Sequence, residues 1–330
     1  KYLLSKIIPN QGSVTSGDGM YSVALPDGRS LFLMGDSFVT PVTNGERSRS
    51  AHMYRNTYIV YDNGKASAIY GSNETSAAVP AGVTNEWDHW YWPGDGFVSG
   101  NSLYIFQNLM YMGASGMWGF RYEATDLLEY SLPDITLTSA TRIPYTESTG
   151  AVFGASALND GDYIYIYAQK DVRNDLDPIS EAWVARTTIS SLKSKWEYFD
   201  GYDWSENQTD AAKMEGLDGI PVSSQFSVFK LKDKYVLLTD NKSLFVNDIY
   251  TLTSDTPYGP WSHRKVIYTV PPFSSSNRMA YNAMAHPQFV KDGMMLVTYD
   301  VNTGDSEEQW SDVSSYRPVF LWIEIDDILK

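Results

Sequence analysis

The chain has 330 residues, 43% of them hydrophobic, no cysteine and a formal net charge of −15. That length allows one large domain or two ordinary ones with a substantial core, and no apolar run approaches the length that spans a bilayer. The acidic balance excludes partners coated in phosphate, which are held by clustered Lys and Arg, and disfavours acidic polysaccharides; without thiols there is no cysteine nucleophile, disulfide or thiolate metal site.

Helical periodicity is scarce, whereas short β-branched and aromatic runs bounded by Gly, Asp, Asn and Pro recur throughout, which predicts an all-β chain. A strand, a tight turn and a second strand appear five times. The first copy runs Tyr21 to Leu25, turns at Pro26-Asp27-Gly28 and continues Ser30 to Met34. The second is Phe97-Val98, Gly100-Asn101 and Leu103 to Phe106; the third is Gly154 to Leu158, Asp160-Gly161 and Tyr163 to Ala168. The fourth is Phe226 to Leu231, Lys232-Asp233 and Tyr235 to Thr239; the fifth is His286 to Val290, Asp292-Gly293 and Met294 to Tyr299. Further strands are expected at Tyr54 to Tyr61, Gly119 to Glu129, Ala182 to Thr188, Leu244 to Thr253 and Arg317 to Ile325.

Five such units predict a single five-bladed β-propeller over 1–330, with mostly four-stranded blades. Their expected bounds are approximately 9–75, 90–145, 150–205, 220–270 and 278–330. Little chain remains for the last outer strand, so residues 3–8 are expected to supply it and close the ring.

In a propeller the loops before the first strand and after the second strand of each blade border one pocket. Gly17-Asp18-Gly19 and Gly94-Asp95-Gly96 both precede a first strand, so Asp18 and Asp95 are the candidate catalytic pair; Asp-Gly is also a common turn dipeptide. Two flanking carboxylates suffice to cleave a glycosidic bond. Asp36 and Asp88 are the rival acids. Asp36, Gln107 with Asn108, Lys170 with Asp171, Asp240 with Asn241, and Asp300 end the second strands and form a candidate polar rim.

Trp87 to Trp92, just upstream of Asp95, and Met117-Trp118 stand in turn-like sequence, and sugar faces stack on such rings. Trp90, Trp92 and Trp118 are therefore candidate substrate-binding residues, as are Arg55, Gln225 and Asn282. His286 opens the fifth hairpin and could serve as a core residue or in the site. The four histidines are scattered and show no zinc spacing. No cofactor or metal is expected, although a structural Ca2+ held by channel carboxylates stays open because oxygen ligands need no local motif. A chain opening on Lys1 is expected to have lost an upstream signal segment, and hence to be secreted, periplasmic or at the cell surface.

Several stretches resemble a bacterial domain family long of unknown function, some members of which are endo-D-arabinanases. They are Gly17 to Ser22, Leu33 to Phe38, Tyr91 to Gly96, Trp196-Glu197-Tyr198 with Gly201 and Trp204, Tyr281 to Pro287, and Tyr316-Arg317-Pro318. Asp255 to Trp261 is similar to a segment of propeller arabinanases and xylosidases. The resemblance implies a secreted bacterial five-bladed propeller and a blade-one aspartate, matched by Asp18, as base or nucleophile. Those glycosidases usually draw an acid from the third blade. Here Gly154 to Leu158 has none, which turns attention to Asp95.

The sequence therefore supports a monomeric glycoside hydrolase acting on a neutral, furanose-containing, arabinan-like polysaccharide. A non-catalytic carbohydrate-binding propeller is the alternative, and a lyase or isomerase using His286 is a third reading. Release of reducing ends separates the first two.

Overall fold

The computed structural model describes residues 4–71, 88–116, 119–144, 149–174, 177–241 and 248–329. Five antiparallel sheets follow one another along the chain, each a meander of consecutive strands. The first contains Tyr21–Ala24, Ser30–Met34, Thr57–Asp62 and Lys65–Ile69 in that order. The second contains His89–Ser99, Ser102–Met112, Phe120–Ser131 and Thr136–Arg142. The third starts Val152–Asp160, Tyr163–Asn174, Asp177–Thr187 and adds Glu197–Phe199 and Trp204–Ser205. The fourth contains Ser227–Leu231, Lys234–Asp240, Asp248–Ser254 and Ser262–Thr269, and the fifth Arg278–Lys291, Met294–Thr303 and Val319–Glu324.

Local chemistry explains the hairpins. In the first, Gly28 takes a φ of +89° and closes the turn by donating its N–H to the Leu25 carbonyl, the left-handed geometry that tight hairpins require. Lys232 and Asp292 adopt the same backbone region without being glycine. The second strands are continuous apolar runs because both of their faces are covered: Leu31, Phe32, Leu33 and Met34 are fully buried, as are Val236-Leu237-Leu238 and Met295-Leu296-Val297.

The chain packs as two compact units. One comprises residues 1–142, 273–279 and 300–320; the other comprises 143–272, 280–299 and 321–330. The first unit holds the first two sheets. The second holds the third and fourth sheets, around a core that includes Tyr167, Met214, Phe226, Tyr250, Leu252 and Trp261. Residues of the fifth sheet are apportioned to both.

Three expectations are corrected. The amino-terminal segment is not an outer strand: Leu4–Ile7 is a helical turn, and the fifth sheet has three strands among the described residues. Pro9 follows directly, and a proline both lacks an N–H and restricts the residue before it, so pairing is interrupted there. Ile7 and Ile8 are nevertheless buried. Second, the stretch before Asp95 is strand rather than loop, His89–Ser99 pairing along its length with a bulge between Pro93 and Gly96. Third, Tyr54 pairs in the separate short strand Met53–Tyr54, apart from Thr57–Asp62.

His286 lies within the first strand of the fifth sheet, fully buried, with Nε2 2.8 Å from the Thr298 hydroxyl. Burial pushes its pKa from 6.5 down to about 3. Below pH 6.5 the unfolded chain takes up a proton that the folded chain refuses, so stability present above pH 6.5 is lost as pH falls toward 3. The loss is at most roughly 1.4 kcal/mol per pH unit. Chemical denaturation at pH 7 and pH 4.5 is expected to show a smaller acid loss for His286→Gln than for the parent.

Candidate active site

The site grows from a short piece of backbone pairing. Ser16–Gly17 pairs antiparallel with Ser37–Phe38, with Gly17 opposite Ser37. One step further along that register, Asp18 donates its N–H to the Asp36 carbonyl at 3.3 Å, while the Gly35 N–H donates to the Asp18 carbonyl at 2.8 Å. Asp18 and Asp36 are therefore cross-strand neighbours. The glycines on either side of Asp18 make the approach feasible: a Cβ at Gly17 would stand 2.6 Å from the Ser37 Cβ, and one at Gly19 would stand 2.9 Å from the Gly35 nitrogen. Gly19 also has a φ of +103° and donates its N–H to Asp300 Oδ2 at 2.8 Å.

Asp36 is held from three sides. Arg55 Nη1 donates to its Oδ2 at 3.1 Å, the Trp92 indole N–H donates to Oδ1 at 3.0 Å, and the Tyr316 hydroxyl donates to its backbone carbonyl at 2.8 Å. Its side chain is only 17% exposed. Burial raises its pKa above the ordinary carboxylate value, against the opposing pull of Arg55 and Trp92. The Arg55 guanidinium lies 4.0 Å from the centroid of the Trp90 ring, a stacked cation over an aromatic face.

Asp95 sits in the bulge of His89–Ser99, half-buried, and its Oδ1 accepts the Gly96 N–H at 2.8 Å. A Cβ at Gly96 would meet the Tyr104 carbonyl at 2.7 Å and the Val23 side chain at 3.2 Å, so the bulge packs on the first strand of the first sheet. The negative charges of Asp95 and Asp300 both bear on the buried Tyr21 hydroxyl and, together with burial as the larger cause, hold its pKa well above the ordinary value. The third sheet has the same irregularity between Phe153 and Ser156, where Ala155 occupies the place of Asp95. The two Gly-Asp-Gly copies thus differ locally: one follows a short bridging strand, and the other is a bulge inside a long one.

The first unit brings Asp18, Asp36, Arg55, Trp90, Trp92 and Asp95 into one neighbourhood, with Asp300 as an acid that strand-end polarity alone had indicated. Trp90 is 1% exposed beneath Arg55. Its ring is a support for the cation and not a platform for a sugar. Asp88 is exposed in the turn just before His89–Ser99, and Trp118 lies outside the described residues. In the second unit Asn282 takes a φ of +52° and is nearly buried, and the next N–H, from Ala283, donates to the buried Asp240 carboxylate at 2.6 Å. Gln225 is half-buried, and its Oε1 has no hydrogen-bond partner among the described residues. His286 is enclosed in the core and neutral near pH 7. Among the described residues, no group of three or more His, Asp or Glu is arranged to hold a metal ion.

The chain belongs to the family described as a domain of unknown function (DUF5005), which matches residues 6–325. In structure it is similar to a protein of Bacteroides ovatus described as a candidate hydrolase, with a TM-score of 0.78 at 20% identity, covering 97% of this chain and 88% of that one. It is also similar to the GH43_1 enzyme of Xanthomonas citri solved with xylotriose, with a TM-score of 0.53 at 12% identity over 97% and 91% of the two chains. An exo-1,5-alpha-L-arabinanase from a bovine ruminal metagenomic library gives a TM-score of 0.52 at 12% identity over 94% and 95%. No protein of curated function matches the sequence. At these identities the likeness is one of fold: the all-β architecture is the five-bladed β-propeller.

The glycine requirement beside Asp18 is testable by stability. Gly19→Ala adds both a left-handed backbone and a clash with backbone, whereas Gly28→Ala, with nothing within 4 Å of its Cβ, adds backbone strain alone. Such strain costs on the order of 1–3 kcal/mol. Thermal denaturation is expected to show the larger loss for Gly19→Ala.

Proposed function

We propose that the protein is a secreted glycoside hydrolase acting on a neutral, furanose-containing, arabinan-like polysaccharide, with Asp18 and Asp36 as the reacting carboxyl groups. The observation that carries the reading is their cross-strand placement, with Asp36 partly buried and shifted toward its acid form. The family resemblance, the shared fold and the local aromatic residues agree with a saccharide ligand. No cofactor enters this reading.

Retaining glycosidases place their carboxyl groups closer together, at about 5–5.5 Å, than inverting ones do. Backbone hydrogen bonds set Asp18 beside Gly35 and Asp36, and the course proposed is retention. Asp36 gives its proton to the glycosidic oxygen as the bond from that oxygen to the anomeric carbon breaks, and an Asp18 oxygen bonds to that carbon. Once Asp18 is an ester its charge is gone, so Asp36 ionises more readily and can take a proton from the water that displaces Asp18. Arg55 stabilises the Asp36 carboxylate formed after the first step. Asp95 and Asp300 complete the acidic rim, with Asp300 anchoring the Gly19 amide beside Asp18.

Reducing-end release from linear 1,5-arabinan tests the assignment. Asp18→Asn and Asp36→Asn are expected to lose roughly 10²- to 10⁴-fold in kcat, and Asp95→Asn distinctly less. A full loss in Asp95→Asn with Asp36→Asn active would return the pair to Asp18 and Asp95.

Two further variants probe the surroundings. A Cβ at Gly35 would stand 2.8 Å from Asp18 Oδ1, and position 35 carries no left-handed φ, so Gly35→Ala is expected to keep its melting temperature while kcat falls. Removing the cation in Arg55→Gln raises the Asp36 pKa further. The basic limb of the kcat/KM profile, where the acid form is lost as pH rises, is expected to move upward.

A further inference from the structure

We infer that the part of the second sheet preceding its bulge is a binding wall for a neutral, hydroxyl-rich chain, leading away from the carboxylates. The identity of the chain as a glycan that is cleaved rests on the proposed hydrolase; the wall itself does not. Pairing aligns Trp92 with Asn108 and Asn108 with Thr125, Trp90 with Met110 and Met110 with Tyr122, and Met112 with Phe120. Side chains alternate along strands and align across them, so these residues share one face. Arg121 pairs with Tyr111 and Tyr111 with His89 on the opposite face. His89 stacks on Tyr111 there and stands 3.4 Å from Glu123.

The back of this sheet is charged, and the front carries rings, a thioether and an amide, with the Arg55 guanidinium over Trp90 at the end that meets Asp36. Trp92 ties the front to the site: its N–H reaches Asp36, and the Phe120 ring meets it edge-on with centroids 4.9 Å apart. Trp92, Asn108, Phe120 and Tyr122 are half-buried, Trp90, Met110 and Thr125 are buried, and Met112 is 39% exposed. A relay fixes the polar part. The Tyr122 and Thr125 hydroxyls lie 2.9 Å apart, and Thr125 donates to Asn108 Oδ1 at 2.8 Å. This turns the NH2 of Asn108 toward a ligand acceptor.

Rings for apolar sugar faces beside an oriented amide, with the one cation at the site end already paired to Asp36, suit a neutral glycan better than an acidic one or a charged peptide. From Asn108 to Met112 the strand covers roughly 13 Å. The Phe120 ring nevertheless returns to meet Trp92, so this face is a curved wall beside Asp36, and it holds a chain whose scissile bond lies at its Asp36 end.

The test separates binding from cleavage. In an Asp18→Asn background, affinity electrophoresis through gels containing linear 1,5-arabinan, or in parallel a neutral xylan, is expected to retard the protein. Phe120→Ala is expected to weaken that binding roughly tenfold, the scale of one lost ring contact, and Met112→Ala to weaken it by a smaller factor. Phe120→Tyr restores it, and unchanged far-ultraviolet circular dichroism and melting temperature show that the variants are folded. In the active protein Phe120→Ala loses more kcat/KM on the polymer than on short oligosaccharides. Retardation equal to the parent in both alanine variants, or no retardation of the parent by either polysaccharide, overturns the wall. Retardation that depends on Phe120 in a protein that releases no reducing ends leaves the wall standing and removes the hydrolase; hydrolysis lost in Asp36→Asn with retardation indifferent to Phe120 does the reverse.

Discussion

The close approach of two backbone segments at Gly17-Asp18-Gly19 and Gly35-Asp36-Ser37 is the constraint on which the candidate site depends. With no Cβ at Gly17 or Gly19 the two segments can exchange hydrogen bonds on either side of Asp18, and with none at Gly35 the Asp18 carboxyl has room beside them. That pairing sets Asp18 beside Gly35 and Asp36. A side chain on any of the three glycines would meet backbone, the neighbouring Ser37 or the Asp18 carboxyl itself. The sequence motif therefore acts by being thin, and only secondarily by carrying an acid.

Around this backbone the protein gathers four aspartates, and their environments differ. Asp36 has a cation, an indole N–H and partial burial; Asp300 is fully buried and spends an oxygen on the Gly19 amide; Asp95 turns back on its own bulge. Like charges in one neighbourhood cannot all ionise freely, and environments that separate their acidities are what two-carboxylate catalysis uses. Trp90 serves this arrangement from below by lying against Arg55. Loss of its ring would release the guanidinium as well as leave a large void in a fully packed core.

Much of the architecture was legible because hairpins declare themselves locally. Tyr21 to Met34 reads as alternating and then continuous apolar residues around a Pro-Asp-Gly turn, and the observed strands follow it to within a residue. The stretch from His89 to Gly96 was misread because Pro93 and two glycines are breaker signals, whereas a bulge absorbs them without ending the strand. The segment after Lys1 was misread because apolar content alone cannot tell a strand from a single helical turn. Asp18 and Asp95 were found through repetition. The partnership of Asp18 with Asp36 escaped because it rests on the two-residue strands Ser16–Gly17 and Ser37–Phe38, too short to show a period. Trp90 and Trp92 are two residues apart with identical chemistry, and only the position of Arg55 makes one a buried support and leaves the other beside the acid.

Fold and chemistry are separate claims here, since the propeller is shared with enzymes at 12% identity and a fold hosts many activities. The chemistry argued for this chain rests on the pairing of Asp18 with Asp36 and on the rings beside it. The most direct measurement is to trap the reaction midway with a mechanism-based arabinofuranoside inhibitor and locate the adduct by peptide mass spectrometry. An ester on Asp18, absent in Asp36→Asn unless the leaving group needs no proton, is the predicted result. An adduct on Asp95, or products of inverted configuration with no adduct at all, would contradict it.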